Sequence, residues 1–318
     1  MTGQLLDGAI AVVTGAGDGL GRAEALGLAE QGAAVVVNDL APAGGLGGAD
    51  RVAAEIVAAG GRAVACNGDV GSFEFAQHLV DTAVETFGDL NILVNNAGIL
   101  RDRMLFTMSE TEWDDVIRVH LKGHFATSRW ASAYWRSRSK SSAAPVWGRV
   151  VNTASEAFLV GSPGQPNYAA AKAGIVALTL ATAQGCAAYG VTANAICPRA
   201  ATAMTSPVFD GADDAKRDLF APAQVAQLVA YLGRREATAI TGQVFVAYAN
   251  IVHLLEAPRV AQTFRALGGA WDADALSAAL DDYFDGSPPP GFAAHGVLEV
   301  ATDLWRRPSR APSSPSDE

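Results

Sequence analysis

The sequence predicts an α/β fold: a doubly wound, parallel sheet of about seven strands with helices on both faces, followed by a helical C-terminal extension. Three observations carry this expectation. Short apolar, β-rich runs alternate with helical patterns through roughly the first 250 residues. A glycine-rich turn, Thr14-Gly15-Ala16-Gly17-Asp18-Gly19-Leu20-Gly21, directly follows the first of those runs and precedes a helical pattern that starts near Leu20. At 318 residues with 50% hydrophobic side chains, the chain is also long enough to bury one extended core.

The first run, Ala9–Val13, is continuously apolar, as a strand covered on both faces reads. Glycine at the turn lets the backbone bend tightly and approach a phosphate, and the following helix N-terminus offers free N–H groups to that charge. The second run, Ala34–Asn38, ends at Asp39, and the glycine-rich residues Ala41 to Ala49 read as a mobile loop. After the third run, Ala63–Cys66, the residues Ala76, Leu79, Val80, Ala83 and Phe87 repeat at helical spacing up to Gly88. The fourth run is Asn91–Val94. Ser109 and Glu112 form a capping-box pattern ahead of Trp113, Val116, Ile117, His120 and Leu121, a second amphipathic helix. Ser137 to Pro145 reads as an exposed connection to the fifth run, Arg149–Asn152. Thr192–Ile196 and Gln243–Ala247 complete the sheet, with a mobile loop expected over Ala203 to Phe220. These elements place an α/β domain at residues 1–250 and a helical extension at 251–305, with helices at Ala257–Leu267 and Ala273–Phe284 and an interruption at Pro288–Pro290. Residues 306–318 have the composition of a disordered tail.

Charge and cysteine usage narrow the function. A formal charge of −10 argues against nucleic-acid or anionic-membrane partners, which attract clustered Lys and Arg. Cys66, Cys186 and Cys197 are scattered without metal-ligand spacing and read as reduced core thiols, so no metal site is expected. The N-terminus lacks a cationic, then apolar, leader pattern, and no run approaches the ~20 apolar residues of a membrane helix. The expectation is a cytoplasmic protein.

The chemistry concentrates in a few residues. Asp39, at the end of the second strand, can accept from ribose hydroxyls and repel a 2′-phosphate, and Asp18 adds a second negative group, so NAD is favoured over NADP. Tyr168 and Lys172 stand four apart in an alanine-rich helical segment and therefore project from one face. A free phenol holds its proton to about pH 10. A neighbouring ammonium, with the positive nicotinamide of the oxidised cofactor, favours phenolate and is expected to lower that value, equipping the tyrosine for proton exchange with an alcohol.

The TGxxxGxG spacing of Thr14 to Gly21, together with Asn95-Asn96-Ala97-Gly98, Ser155, Tyr168 and Lys172 in that order, resembles the short-chain dehydrogenase/reductase family over residues 5 to 250. The resemblance implies a Rossmann fold that binds a nicotinamide dinucleotide, with Gly15, Asp18, Gly19, Leu20 and Gly21 around the pyrophosphate and Asp69 and Val70 at the adenine. Asn95, Ala97 and Gly98 would line the cofactor channel or support it, Lys172 would hold the nicotinamide ribose, and Pro198 and Thr202 would lie beside the carboxamide. It further implies that Ser155 holds the reacting oxygen, Tyr168 exchanges its proton, and His120 stands where the family often carries a relay asparagine. Val37 to Leu40, Gly98 to Arg103, Val119 to Gly123 and Gly164 to Tyr168 are similar to the branch containing the dehydrogenase portion of the type 2 peroxisomal multifunctional enzymes and their bacterial relatives. That branch implies a (3R)-hydroxyacyl-CoA or 17β-hydroxysteroid substrate and a homo-dimer or homo-tetramer. Arg101 and Arg103 are candidates either for CoA phosphates or for ion pairs with Asp102 and its neighbours. Two alternatives stay open: an NADPH-dependent 3-oxoacyl-thioester reductase, and a noncatalytic NAD-binding regulatory protein.

Overall fold

The structure is a computed structural model that describes residues 4–41, 43–209, 213–266 and 269–285. In chain order its elements are β1 (Ile10–Val13), α1 (Gly19–Glu30), β2 (Ala34–Asp39), α2 (Gly48–Ala58), β3 (Arg62–Asn67), α3 (Phe73–Phe87) and β4 (Ile92–Asn95). There follow α4 (Glu110–Val116), α5 (Gly123–Ser142), β5 (Gly148–Thr153), α6 (Ala157–Val160), α7 (Pro166–Cys186) and β6 (Val191–Pro198). The last are α8 (Asp214–Leu219), α9 (Pro222–Gly233), β7 (Val244–Tyr248), β8 (Ile251–Leu254) and α10 (Ala273–Phe284).

Strands β1 to β7 pair in parallel, and the sheet order is β3-β2-β1-β4-β5-β6-β7-β8. From β1 the chain winds first toward β3 and then, from β4, in the other direction. The crevice at the carboxyl ends of β1 and β4 is therefore a topological switch point, where α/β sheets bind ligands. One face of the sheet packs Ala25 and Leu28 of α1, Val52 and Ile56 of α2, and Val225 and Val229 of α9. The other packs Leu79, Val80 and Ala83 of α3, Ala131 and Trp135 of α5, and Ala183 of α7.

The sheet has an eighth strand that the sequence pattern does not reveal. β8 pairs antiparallel with β7 across a two-residue turn, Ala249-Asn250, and carries the sheet to Leu254. Antiparallel neighbours need no helical crossover, so no helix pattern announces the strand. In its sequence, Ile-Val-His-Leu, the exposed positions Val252 and Leu254 are apolar and a half-buried one is His253, which hides the alternation.

Several local expectations change. The capping box at Ser109 and Glu112 starts α4 as expected, but the helix is not one regular element: Ile117–Lys122 forms a π-helical turn between α4 and α5. The serine-rich segment from Ser137 is the last part of α5 rather than a connection. Ser141 and Ser142 donate to the Arg138 carbonyl at 2.9 Å, which satisfies their hydroxyls without breaking the helix. The glycine-rich loop is shorter than expected, because α2 starts at Gly48 and buries Ala49. Gly48 is needed for close approach: a Cβ there would lie 2.8 Å from the Gly17 Cα. Residues Ala203–Phe209 form 3₁₀ turns and Asp214–Leu219 a helix, where a plain loop was expected.

In the sequence after Leu255, the expected helix at Ala257–Leu267 is absent through residue 266, and Leu267 lies outside the described residues. Pro258 disfavours helical backbone at the residue before it and supplies no N–H. α10 occupies the expected Ala273–Phe284, with Asp272 accepting from the Ala275 amide at 2.7 Å. Pro288–Pro290 and the tail from residue 306 fall outside the described residues. The continuous helical stretch Pro166–Tyr189 is long and apolar enough by length and composition to cross a membrane. Its buried positions, Lys172 among them, belong to the α7 face that packs on the sheet.

Candidate active site

A cavity of about 400 Å³ opens at the switch point. Of the residues singled out from the sequence, Gly15, Asp18, Gly19, Leu20, Asp39, Asp69, Val70, Ala97, Gly98, His120, Tyr168, Lys172, Pro198 and Thr202 line it. Gly21, Asn95 and Ser155 do not. Gly21 serves packing: a Cβ there would meet the Asn96 amide nitrogen and the Gly15 carbonyl at 2.4 Å. Asn95 is a buried brace whose amide donates to Asn152 at 2.9 Å and to Ser128 at 3.1 Å, joining β4 to β5 and α5. Ser155 is half-buried, its hydroxyl is bonded to the Tyr168 side chain, and its Oγ accepts from the Ala157 amide at 3.2 Å.

The glycine turn is shaped by contacts that exclude side chains. Gly15 has φ +61°, and a Cβ on it would lie 2.7 Å from the Ala97 Cα. Asp18 caps α1 by accepting from the Gly19 amide at 2.7 Å. Asp39 accepts from the Gly17 amide at 2.9 Å and from the Leu40 amide at 2.7 Å, so the same carboxylate that lines the cavity also fixes the turn. The free first-turn amides of α1, the side-chain-free turn and an acceptor-only carboxylate at the end of β2 match, in turn, a pyrophosphate and a ribose diol. These residues fit a nicotinamide dinucleotide.

Asp69 is held by the Gly71 amide at 2.8 Å and by an ion pair with Arg118. Arg118 lines the cavity as well. Nothing in the sequence pattern marks it, because it precedes His120 on a stretch that reads as ordinary amphipathic helix. Asn38, Asn96, Ile99, Thr153, Ala154, Ala200, Met204 and Thr205 are further lining residues outside the sequence-derived set. Arg101 and Arg103 pair with Asp115 at 3.6 Å and Glu112 at 3.0 Å, both on α4. Asp102 instead accepts from Gln165 at 2.9 Å.

α7 presents Tyr168 and Lys172 together because its start is pinned. Buried Asn167 accepts from the Tyr168 amide at 2.8 Å and donates to the carbonyls of Arg101 and Glu112 at 3.0 Å. Lys172 Nζ donates to the Thr153 carbonyl at 2.5 Å and lies 5.2 Å from the Tyr168 ring centre. The His120 ring meets Tyr168 edge-on at 5.3 Å. The π turn swings that imidazole against the Asn95–Gly98 segment, where Gly98 leaves room: a Cβ would lie 2.3 Å from His120 Cε1. His120 Nε2 meets the backbone of Ile99, while buried Nδ1 has no partner among the described residues.

Burial pushes the Tyr168 phenol up to about 12, although the Ser155 hydroxyl pulls it down. Burial also pushes Lys172 down to about 7, so its ammonium is itself costly. His120 is pushed down to about 3 by burial and by Lys172, which makes it a neutral imidazole at physiological pH. The pair Tyr168–Lys172 is thus a dry site whose charged forms both need an added partner.

Comparison with known proteins agrees with this geometry. A family model described as short chain dehydrogenase matches residues 9–213. The hydroxyacyl-CoA dehydrogenase ChsB1 of Mycobacterium tuberculosis is 51% identical over 95% of each chain. Peroxisomal multifunctional enzyme type 2 of Mus musculus is 42% identical over 71% of this chain and 30% of its own length. A 3-oxoacyl-[acyl-carrier-protein] reductase of Synechocystis is 39% identical over 74% of this chain and 94% of its own. The crystal structure of a short chain dehydrogenase from Mycobacterium avium superposes with a TM-score of 0.80 at 46% identity, covering 90% of this chain and 98% of that one.

Proposed function

The chain belongs to the short chain dehydrogenase family and is an oxidoreductase acting on CH–OH groups, and from that premise we propose that it oxidises the 3-hydroxyl of a (3R)-hydroxyacyl-CoA, with NAD preferred over NADP. The observation that carries this reading is that Tyr168 and Lys172 line the same cavity as Asp39, with the Ser155 hydroxyl bonded to the Tyr168 phenol. The substrate class is supported by 51% identity across 95% of a hydroxyacyl-CoA dehydrogenase.

When bound, the oxidised nicotinamide supplies a hydride acceptor and a positive charge. The chain's own part is to hold and move a proton. Ser155 donates to the reacting oxygen. Tyr168, as phenolate, takes the hydroxyl proton, and Lys172 stabilises the phenolate from the same face of α7. Neutral His120 packs against the phenol and limits its motion.

Initial rates followed at the reduced-nicotinamide absorbance band test the proposal on a panel of hydroxyacyl-CoA thioesters and 17β-hydroxysteroids, with each cofactor. The expected result is turnover on acyl-CoA substrates with NAD at least tenfold more effective than NADP in kcat/KM, about 1.4 kcal/mol. No turnover on either class would remove the substrate reading. Asp39→Ala should narrow or erase the cofactor preference, since it removes the carboxylate that repels a 2′-phosphate, and an unchanged ratio would show that Asp39 does not set it. The alternative, an NADPH-dependent 3-oxoacyl-thioester reductase, draws support from the Synechocystis relative and predicts the opposite preference.

The chain is also proposed to work as a homo-oligomer. Only 28% of the apolar window in Pro166–Tyr189 is buried within the chain, and Leu180 on α7 and Phe125 on α5 are exposed. Apolar helix faces of this kind fit a second copy. Leu180→Glu together with Phe125→Glu should lower the mass measured by light scattering, and an unchanged mass would place the contact elsewhere.

A further inference from the structure

Glu156 directly follows Ser155, and Arg199 directly follows Pro198. Although β5 and β6 have ended by then, the two side chains join as a two-pronged fork: Arg199 Nε donates to Glu156 Oε2 at 2.6 Å and Nη2 to Oε1 at 2.7 Å. Both side chains are nearly buried, at 12% exposure for Glu156 and 13% for Arg199. Bidentate pairing of this kind fixes direction as well as distance.

The fork is anchored on every side. The Ala154 amide donates to the Ile196 carbonyl at 2.7 Å, and the Arg199 amide to the Ala247 carbonyl at 3.0 Å, so its two roots stand on neighbouring strands. The guanidinium lies 5.2 Å from the centre of the Tyr248 ring. Tyr248 in turn stacks on Phe220 and pairs its hydroxyl with His253 Nε2 at 2.9 Å. Three strand ends and β8 are thereby locked beside the reacting end of the cavity. A purely solubilising ion pair would be exposed and would not join the residues next to Ser155 and Pro198.

We propose that the Glu156–Arg199 fork is a positioning pair for the oxidoreductase reaction, holding the Ser155 turn at a fixed distance from the Pro198 strand end so that the serine hydroxyl meets the reacting oxygen. This rests on the role given above to Ser155. Neither residue touches the cavity, so the pair acts through its neighbours. A displacement of about 1 Å at a reacting group costs on the order of 10²-fold in rate.

Full-length enzyme carrying Glu156→Gln or Arg199→Lys should lose ten- to hundredfold in kcat, by the same order-of-magnitude argument, while the cofactor KM stays within about twofold. Glu156→Gln strands the guanidinium, Arg199→Lys keeps a charge but loses the two-pronged geometry, and each is expected to lower Tm. The double variant Glu156→Gln/Arg199→Met strands none, so its Tm should recover while its kcat does not. Recovery of kcat along with Tm, or single variants with parental kcat per bound cofactor, would overturn the proposal. Amide hydrogen exchange supplies a readout independent of substrate. The amides of residues 154–157 and 199–200 should exchange faster in all three variants, and unchanged protection there would overturn the fork even if the substrate reading had failed on its own panel.

Discussion

Tyr168→Phe should lower turnover by about 10³, or about 4 kcal/mol in the barrier, with cofactor affinity nearly unchanged. The loss is large because no other described group can take over the proton. His120 stands edge-on to the ring, but its basicity is suppressed to about 3. Lys172 is directed to the Thr153 carbonyl, and Ser155 is a far weaker acid than a phenol. The pH profile supplies the sign. Oxidation needs the phenolate, so kcat/KM should rise with pH until the apparent pKa of the Tyr168–Lys172 pair is passed. Burial alone would put the phenol near 12. A positive charge brought beside it must move that limb well below 12, and Lys172→Met should move it back up because it deletes the ammonium. A Tyr168→Phe enzyme that kept parental turnover and the parental pH limb would place the proton acceptor elsewhere.

The parts of this site that were legible in the sequence share one property: they are local. The glycine turn lies between an apolar run and a helix, and the four-residue spacing of Tyr168 and Lys172 fixes their common face on any helix. The parallel sheet was legible for the same reason, since each βα unit repeats its own hydrophobic period. What escaped depends on contacts distant in sequence. The Asp69–Arg118 and Glu156–Arg199 pairs join residues 49 and 43 positions apart. The π turn that aims His120 has no signature in a periodic pattern, because one extra residue per turn shifts the register only after it has occurred. β8 was missed because a hairpin needs only two residues between strands, and the serines of α5 read as loop because their hydroxyl bonds to Arg138 exist only once the helix has formed. The pKa directions escaped too. Spacing places the amine beside the phenol, but only the folded site reveals that burial raises the phenol and lowers the amine.

Glu24→Gln should stabilise the protein, and by more at pH 9 than at pH 5. In the fold Glu24 belongs to the inward face of α1 with Gly21, Ala25 and Leu28, is fully buried, and neither carboxylate oxygen has a partner among the described residues. Burial pushes its carboxyl from 4.5 up to about 8. The folded chain therefore keeps a proton that the unfolded chain releases above pH 4.5. Stability should fall as pH rises through that window and level off above about 8, where both states are ionised. The total is about 5 kcal/mol if the whole difference is expressed, a large part of the net stability of an ordinary domain. Glutamine keeps the shape and removes the titration, so denaturant midpoints of parent and variant should lie closest at pH 5 and diverge toward pH 9. Parallel pH dependence in the two proteins would mean that water or a rearranged partner already solvates the carboxylate. The position adjoins the glycine turn, so the same ionisation would loosen the start of α1 in the parent. Cofactor affinity should then weaken above pH 8 in the parent and hold steady in Glu24→Gln.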